Sequence, residues 1–251
     1  MYRLIYSRYR HGRPAVPDPR TAPVAAPFRG LPGVRPDACT ACGACAGVCP
    51  SKAVAPSPLS LDLGRCVFCG ECAKACPAGA LAFTVEHRLA SDRRESLVLG
   101  AGTPAGGRPA VVVRADLRKR FKRSLKLRQV SAGGCNGCEA ELNACGNVNF
   151  DMGRYGIEFV ASPRHADGIV ITGPVSANMA AALEDTLLAT PEPRIVVAAG
   201  ACAISGGVFD GAPGVSREFF ARHPVDLYVP GCPPHPLTVI NGLLALLGRA
   251  R

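Results

Sequence analysis

The chain has 251 residues, 48% of them hydrophobic, enough for one large domain or two small ones with a buried core. Its formal net charge is +10, but the few aromatics are not interleaved with the basic residues as base-stacking platforms are, so nucleic-acid binding is set aside. Thirteen cysteines, an odd number with no apolar leader before them, argue against a secreted disulfide scaffold and for reduced thiols that hold metal in the cytoplasm.

Residues 1–37 form the first segment. It is rich in proline (Pro14, Pro17, Pro19, Pro23, Pro27, Pro32, Pro36) and arginine, and cannot build a core by itself. It is either a solvated tail or an extended arm that orders on a partner. Its arginines, with a second basic stretch over 114–128, read as solvated faces or as a surface for acidic partner subunits or anionic lipid headgroups. No apolar run reaches the roughly 20 residues that cross a bilayer, so a direct transmembrane segment is not expected.

Residues 38–86 carry an internal repeat. Cys39-Thr-Ala-Cys42-Gly-Ala-Cys45-Ala-Gly-Val-Cys49-Pro50 is followed by Cys66-Val-Phe-Cys69-Gly-Glu-Cys72-Ala-Lys-Ala-Cys76-Pro77. Three closely spaced cysteines let a loop wrap three corners of a cubane, and the spacing suggests that the fourth ligates elsewhere. Zinc knuckles use separated Cys-x2-Cys pairs instead. The repeat resembles bacterial two-cluster ferredoxins, small α+β domains with short hairpin strands near Ser51–Val54 and Ala78–Leu81. That resemblance implies two 4Fe–4S clusters with crossed ligation: Cys39, Cys42, Cys45 and Cys76 on one, and Cys66, Cys69, Cys72 and Cys49 on the other.

Residues 87–127 read as a linker, glycine-rich over 100–107, followed by a basic helix from Asp116 to Leu127. Leu117, Phe121 and Leu125 recur at helical spacing as one apolar stripe, a docking face.

From 128 to 251, strands and helices alternate. Strands are expected at Arg128–Val130, Ile157–Ala161, Gly168–Gly173, Arg194–Gly200 and Asp226–Gly231, and helices at Asn178–Leu188 and Pro236–Leu247. Such alternation predicts an α/β parallel sheet with right-handed crossovers, of the flavodoxin-like class, behind the small ferredoxin domain. Gly134, Gly200 and Gly231 end strands, and Cys135 with Cys138, Cys202 and Cys232 follow at once. Sites in such sheets form outside the carboxyl ends of the strands, so these four thiols are expected to converge.

This last domain resembles the small subunit of energy-converting NiFe hydrogenases of the formate hydrogenlyase kind, and the homologous complex I subunit that carries the terminal cluster. The residues that carry the likeness are Cys135-Asn-Gly-Cys138-Glu-Ala-Glu141, Gly156-Ile157, Ser162-Pro-Arg-His-Ala-Asp167, Gly173-Pro-Val175, Gly200-Ala-Cys202 and Pro230-Gly-Cys232-Pro-Pro234. The resemblance implies a proximal 4Fe–4S cluster on Cys135, Cys138, Cys202 and Cys232, hence three clusters in all, and no catalytic residue in this chain. It implies a NiFe-hydrogenase-like large subunit, membrane-anchored subunits and an electron donor or acceptor protein as partners, at the inner face of the cytoplasmic membrane. The complex I branch has two adjacent cysteines at the first ligand position, whereas Cys135-x-x-Cys138 follows the hydrogenases. The alternative is an NADH- or ferredoxin-linked quinone reductase component without nickel. A metal-stabilised scaffold is the alternative from another class.

Four further side chains stand out. Cys145 reads as a small buried hydrophobe. Glu139 and Glu141 either carry protons or favour a helix N-terminus. His235 either couples its protonation to the nearby cluster or makes a structural hydrogen bond. His165 reads as structural.

Overall fold

The structure, a computed structural model, describes residues 2–12, 14–100, 109–112, 115–121 and 123–249. The glycine-rich stretch 100–107 therefore lies outside the described residues except for Gly100. Within the segment read as an arm, Tyr2–His11 forms a helix, α1, which contributes no buried residue. It stops at Gly12, in the left-handed region at φ 62°, before Pro14 can be reached. Residues downstream of α1 run across the chain's own body. Val16 N donates to Asn149 O at 2.8 Å. Pro19 O accepts from His87 Nε2 at 2.9 Å and from Asn241 Nδ2 at 2.7 Å.

The ferredoxin-like unit is built from short pieces. Strand β1 (Pro32–Val34), helix α2 (Ala44–Gly47), the hairpin β2 (Val54–Pro56) and β3 (Leu59–Asp62), helix α3 (Glu71–Ala75) and strand β4 (Leu81–Phe83) follow in order. β1 pairs antiparallel with β4, and β3 pairs with both β2 and β5 (Val98–Gly100). The two halves of the repeat share one backbone geometry. Ala41 and Phe68 take φ 54° and 55°, Gly43 and Gly70 take 75° and 80°, and Lys52 and Gly79 take 52° and 58°.

Helix α4 (Ala115–Arg120) is shorter than expected. Strand β6 begins at Leu125 and runs to Ser131. The stripe Leu117, Phe121 and Leu125 is core, not a docking face: all three are buried, with Leu142, Ile157 and Val239 in the same cluster. After β6 come helix α5 (Gly137–Ala144), strands β7 (Ile157–Phe159) and β8 (Gly168–Thr172), helix α6 (Ala177–Ala189), strand β9 (Ile195–Ala199), helices α7 (Ala201–Ser205) and α8 (Glu218–Arg222), strand β10 (Leu227–Val229) and helix α9 (Pro236–Leu246).

These strands make one sheet in the order β7-β6-β8-β9-β10, with every neighbouring pair parallel. That is the doubly wound, flavodoxin-like order, whose direction of winding reverses between its first and third strands, here β6 and β8. β8 and β9 are buried along their whole length, as their unbroken apolar runs require. The sheet's amino-terminal edge is tied by two aspartates. Asp167 Oδ2 accepts from Lys126 N at 2.7 Å and Asp226 Oδ2 from Val196 N at 2.8 Å.

The small unit is bonded to the large one. Ser91 and Tyr228 form an antiparallel bridge on the β10 edge. Leu61, Leu63, Leu97 and Leu99 share one buried cluster with Ala198, Ala203 and Ile204. Thr238 Oγ1 donates to His87 O at 2.7 Å.

Candidate functional site

Each cysteine run lays its thiols against backbone amides, in the same places in both halves. Ala41 N donates to Cys39 Sγ at 3.4 Å and Phe68 N to Cys66 Sγ at 3.3 Å. Ala53 N donates to Cys49 Sγ and Ala80 N to Cys76 Sγ, both at 3.2 Å. Amides that point at sulfur stabilise thiolate and tune what it binds.

The thiols group across the two runs. Burial raises the Cys45 thiol, and Cys76 and Cys39 push it the same way. Burial pushes Cys66 up to about 12, with Cys72, Cys49 and Cys69 adding to it. Cys72 stands at about 11, raised by burial and then by Cys49 and Cys69. Cys76 of the second run thus acts on Cys45 of the first, and Cys49 of the first run on Cys66 and Cys72 of the second. Cys42 is exposed, and its thiol is lowered by the Ala44 amide and the Thr40 hydroxyl.

The third group lies at the carboxyl edge of the main sheet. Cys135 lies on the loop after β6, at the point where the winding reverses, and Cys138 in the first turn of α5. Cys202 sits in the first turn of α7, after β9, and Cys232 follows β10. Backbone contacts lock these loops together: Gly200 N donates to Val229 O at 2.8 Å and Ala201 N to Gly231 O at 2.9 Å. Burial raises Cys138 to about 12, and Glu139, Cys202, Cys232 and Cys135 add to it. Cys202 is raised to about 11 by burial, then by Cys232 and Cys135. Cys135 and Cys232 are exposed.

A thiol held this high gives up its proton when metal arrives, so loading each group releases protons. The chemistry of the donors, all of them sulfur, fits iron–sulfur clusters rather than mixed-ligand ions. Among the described residues no three His, Cys, Asp or Glu side chains close around a single metal ion. A cubane offers a separate iron to each of its four thiolates.

Glu139 is a staple. Its buried Oε1 accepts from Ser131 Oγ and Thr172 Oγ1, both at 2.6 Å, and those two residues are register partners at the ends of β6 and β8. Burial pushes the carboxyl up, but the two hydroxyls and its own amide together hold it below its ordinary value. It stays ionised and fixes α5, and with it Cys138. Glu141 is raised by burial. Cys145 is fully buried, and its thiol donates to Glu141 O at 3.3 Å. His165 lies exposed in a short turn.

His235 caps α9. Its Nδ1 accepts from Leu237 N at 3.1 Å, and its ring meets Phe28 and Phe150 edge to face. Burial lowers it to about 4, so the ring is neutral near pH 7 and its hydrogen bond is structural.

Three residues between the second and third groups carry no sequence signal. Val67 and Phe68, inside the second cysteine run, line a cavity of about 140 Å³ with Gly231, Cys232 and Pro233. Arg217 sends Nη1 to Cys202 O at 3.4 Å and Nη2 to Ile204 O at 2.9 Å, with its guanidinium 4.4 Å from the Phe220 ring centroid. The Glu139 staple does leave a trace in the sequence: Ser131 and Thr172 are hydroxyls that end two apolar runs, where a buried acid finds partners.

A family model described as NADH ubiquinone oxidoreductase, 20 Kd subunit, matches residues 135–246. One described as 4Fe-4S binding domain matches 32–55 and 59–82. Three relatives are similar to part of the chain. The probable membrane-bound hydrogenase subunit mbhJ of Pyrococcus furiosus is 39% identical over 53% of this chain and 80% of its own length. Formate hydrogenlyase subunit 7 of Escherichia coli is 41% identical over 54% of this chain and 53% of its own. An NADH-quinone oxidoreductase subunit of Citrifermentans bemidjiense is 47% identical over 43% of this chain and 64% of its own.

Proposed function

We propose, on the premise that this chain belongs to the family of the NADH ubiquinone oxidoreductase 20 Kd subunit, that it is an electron-relay subunit of a membrane-associated oxidoreductase complex holding three 4Fe–4S clusters. Cys39, Cys42, Cys45 and Cys76 hold the first, Cys66, Cys69, Cys72 and Cys49 the second, and Cys135, Cys138, Cys202 and Cys232 the third. When bound, each cluster supplies a one-electron carrier; the protein supplies position, shielding from water and potential.

The observation that carries this reading is the gathering of four thiols at the point where a flavodoxin-like sheet reverses its winding, bonded to a repeat whose halves share one geometry. Val67 and Phe68 of the second run line one cavity with the Cys232 loop, which supports the second site as the neighbour of the third. The exposed thiols Cys135 and Cys232 mark the side on which a large subunit docks.

The relatives, a probable membrane-bound hydrogenase subunit and a formate hydrogenlyase subunit, support a hydrogenase-like large subunit and membrane-anchored subunits as partners; a NiFe centre in that large subunit and the cytoplasmic face of the membrane are the finer part of the proposal. Among the described residues no helix is long and apolar enough to cross a membrane. The Cys135-x-x-Cys138 spacing favours the hydrogenase branch. The 47% identity to the NADH-quinone oxidoreductase relative supports the second reading, a quinone-reducing complex without nickel.

The test is to purify the native complex through this chain and assay bound nickel together with hydrogen-dependent dye reduction. Nickel with hydrogen activity supports the hydrogenase reading. Iron without nickel, and no hydrogen activity, moves the chain to the quinone-reducing branch. A colourless preparation holding zinc overturns both.

A further inference from the structure

Helix α1 belongs to neither unit. None of its ten residues is buried, and Tyr2, Leu4, Ile5, Tyr6 and Tyr9 are between 51% and 85% exposed. A face this apolar left in water requires a reason. The arrangement is ordered. Tyr2, Ile5, Tyr6 and Tyr9 recur at i, i+3, i+4 and i+7 and make one stripe. Tyr2 and Tyr6 stack with centroids 6.4 Å apart, and Arg10 Nη1 donates to Tyr6 OH at 3.3 Å. Arg3 and Arg10 flank the stripe on one side and Arg8 on the other; Leu4 falls off it, beside Arg8 and His11. No acidic residue occurs before Asp18.

We propose that α1 is a membrane-interface helix, lying flat in the headgroup layer of a bilayer that contains anionic phospholipid. Tyr2, Ile5, Tyr6 and Tyr9 enter the layer and Arg3, Arg8 and Arg10 meet lipid phosphates. The choice of residue argues for a lipid surface over a groove on a protein. A tyrosine has an apolar ring and a polar tip, which suits a boundary that is dry on one side and wet on the other. Arginine stems lie along apolar surface while their heads reach phosphate. The uncompensated charge asks for an anionic occupant.

The attachment fits this use. Gly12 ends the helix in open space with φ 62°, and by Val16 the chain is fixed again, to Asn149 O at 2.8 Å and by a hydrogen bond from Arg154 to Val16 O. Asn149 lies in the loop after α5, the helix whose first turn carries Cys138, and its neighbour Phe150 meets the ring of His235, three residues after Cys232. A short strap therefore joins the proposed membrane contact to the end of the domain that carries the third thiol group. Ten residues bind weakly and reversibly, so α1 orients the chain on the surface and does not anchor it alone.

The experiment is cosedimentation of the full, cluster-loaded chain, handled without oxygen, with vesicles of phosphatidylcholine alone or of phosphatidylcholine and phosphatidylglycerol in equal parts. The expected result is a preference of about a hundredfold for the anionic vesicles, at roughly five-fold per arginine, lost in high salt. The triple change Arg3→Gln, Arg8→Gln, Arg10→Gln removes the preference. Tyr2→Ser with Ile5→Ser and Tyr9→Ser weakens binding to both vesicles. Both variants melt with the wild type, since α1 adds nothing to the core. Equal binding of the wild type to both vesicles overturns the proposal, as does retention of the preference by the glutamine variant. If the wild type ignores both vesicles while the serine variant falls out of the purified complex, the face docks on protein and the proposal fails.

Discussion

Gly200 leaves no room for a side chain beside Cys138. A Cβ built on Gly200 stands 2.6 Å from Cys138 Sγ, and the backbone there sits at φ 90°. Gly200→Ala therefore displaces the thiol or the α7 loop, and either spoils the third group. The expected outcome is loss of the third cluster's EPR signal with the other two retained, and the same from Cys202→Ser. Retention of all three signals in Cys202→Ser removes that cysteine from the ligand set.

Crossed grouping of the two runs is read by counting iron in paired variants. Cys49→Ser alone loses one cluster's worth of iron. Adding Cys66→Ser loses no more, because both residues serve the same site. Adding Cys39→Ser instead loses a second cluster. If the two combinations change places, each run holds its own cluster and the pairing is wrong.

Cys145 is a packing residue. Cys145→Ala keeps all three signals and costs about 1 kcal/mol of stability, the usual size of a small buried deletion. Denaturant unfolding with parallel EPR spectra checks both halves of this expectation. Loss of a signal makes Cys145 a ligand.

Arg217 puts a half-buried positive charge against the carbonyls of Cys202 and Ile204. Burial lowers its pKa, with Asp210 opposing and Arg94 and Arg65 reinforcing. A cation close to a cluster favours its reduced form. Arg217→Met lowers the third cluster's potential by on the order of 40 mV, equivalent to ~1 kcal/mol for one electron. Arg217→Lys restores most of it. Redox titration followed by EPR reads the shift, and an unchanged potential in the Met variant leaves Arg217 with a purely structural part.

His235 gives a pH dependence with a definite sign. Its value is near 6.5 in the unfolded chain and about 4 in the folded one. Between those values the unfolded state binds the extra proton. The stability contributed by neutral His235 is complete above pH 6.5 and is lost as the pH falls toward 4. The melting temperature drops over this window, and His235→Asn, which caps a helix without titrating, flattens the drop. An equal drop in that variant assigns the acid sensitivity to other groups.

Much of the fold is legible in the sequence. The spans Gly168–Thr172 and Ile195–Ala199 announce themselves as unbroken apolar runs closed by glycine, and the strand–helix alternation around them leads to the observed sheet class. The basic helix is shorter than its periodicity predicts, for a physical reason. Leu117, Phe121 and Leu125 fit a helical period, yet Leu125 and Leu127 also fit the alternation of a strand, and pairing with β7 and β8 decides for the strand. The helix Tyr2–His11 is hidden by the prolines that follow it, which begin only at Pro14. Contacts that span the chain, such as Pro19 O with His87 and Asn241, leave no local pattern to read. Arg217 is one arginine among many until the fold sets it under Cys202.

The bridge between Ser91 and Tyr228 changes what kind of object the fused chain is. A carrier on a loose tether finds its target by diffusion, at an effective concentration set by tether length. Here Ser91 N donates to Tyr228 O at 3.0 Å and Tyr228 N to Ser91 O at 2.8 Å, so the upstream unit is stitched to the sheet edge by main chain. The interval between the second and third thiol groups becomes a constant of the fold, not the outcome of an encounter. Dilution and salt, which loosen the docking of a separate carrier, find nothing here to pull apart.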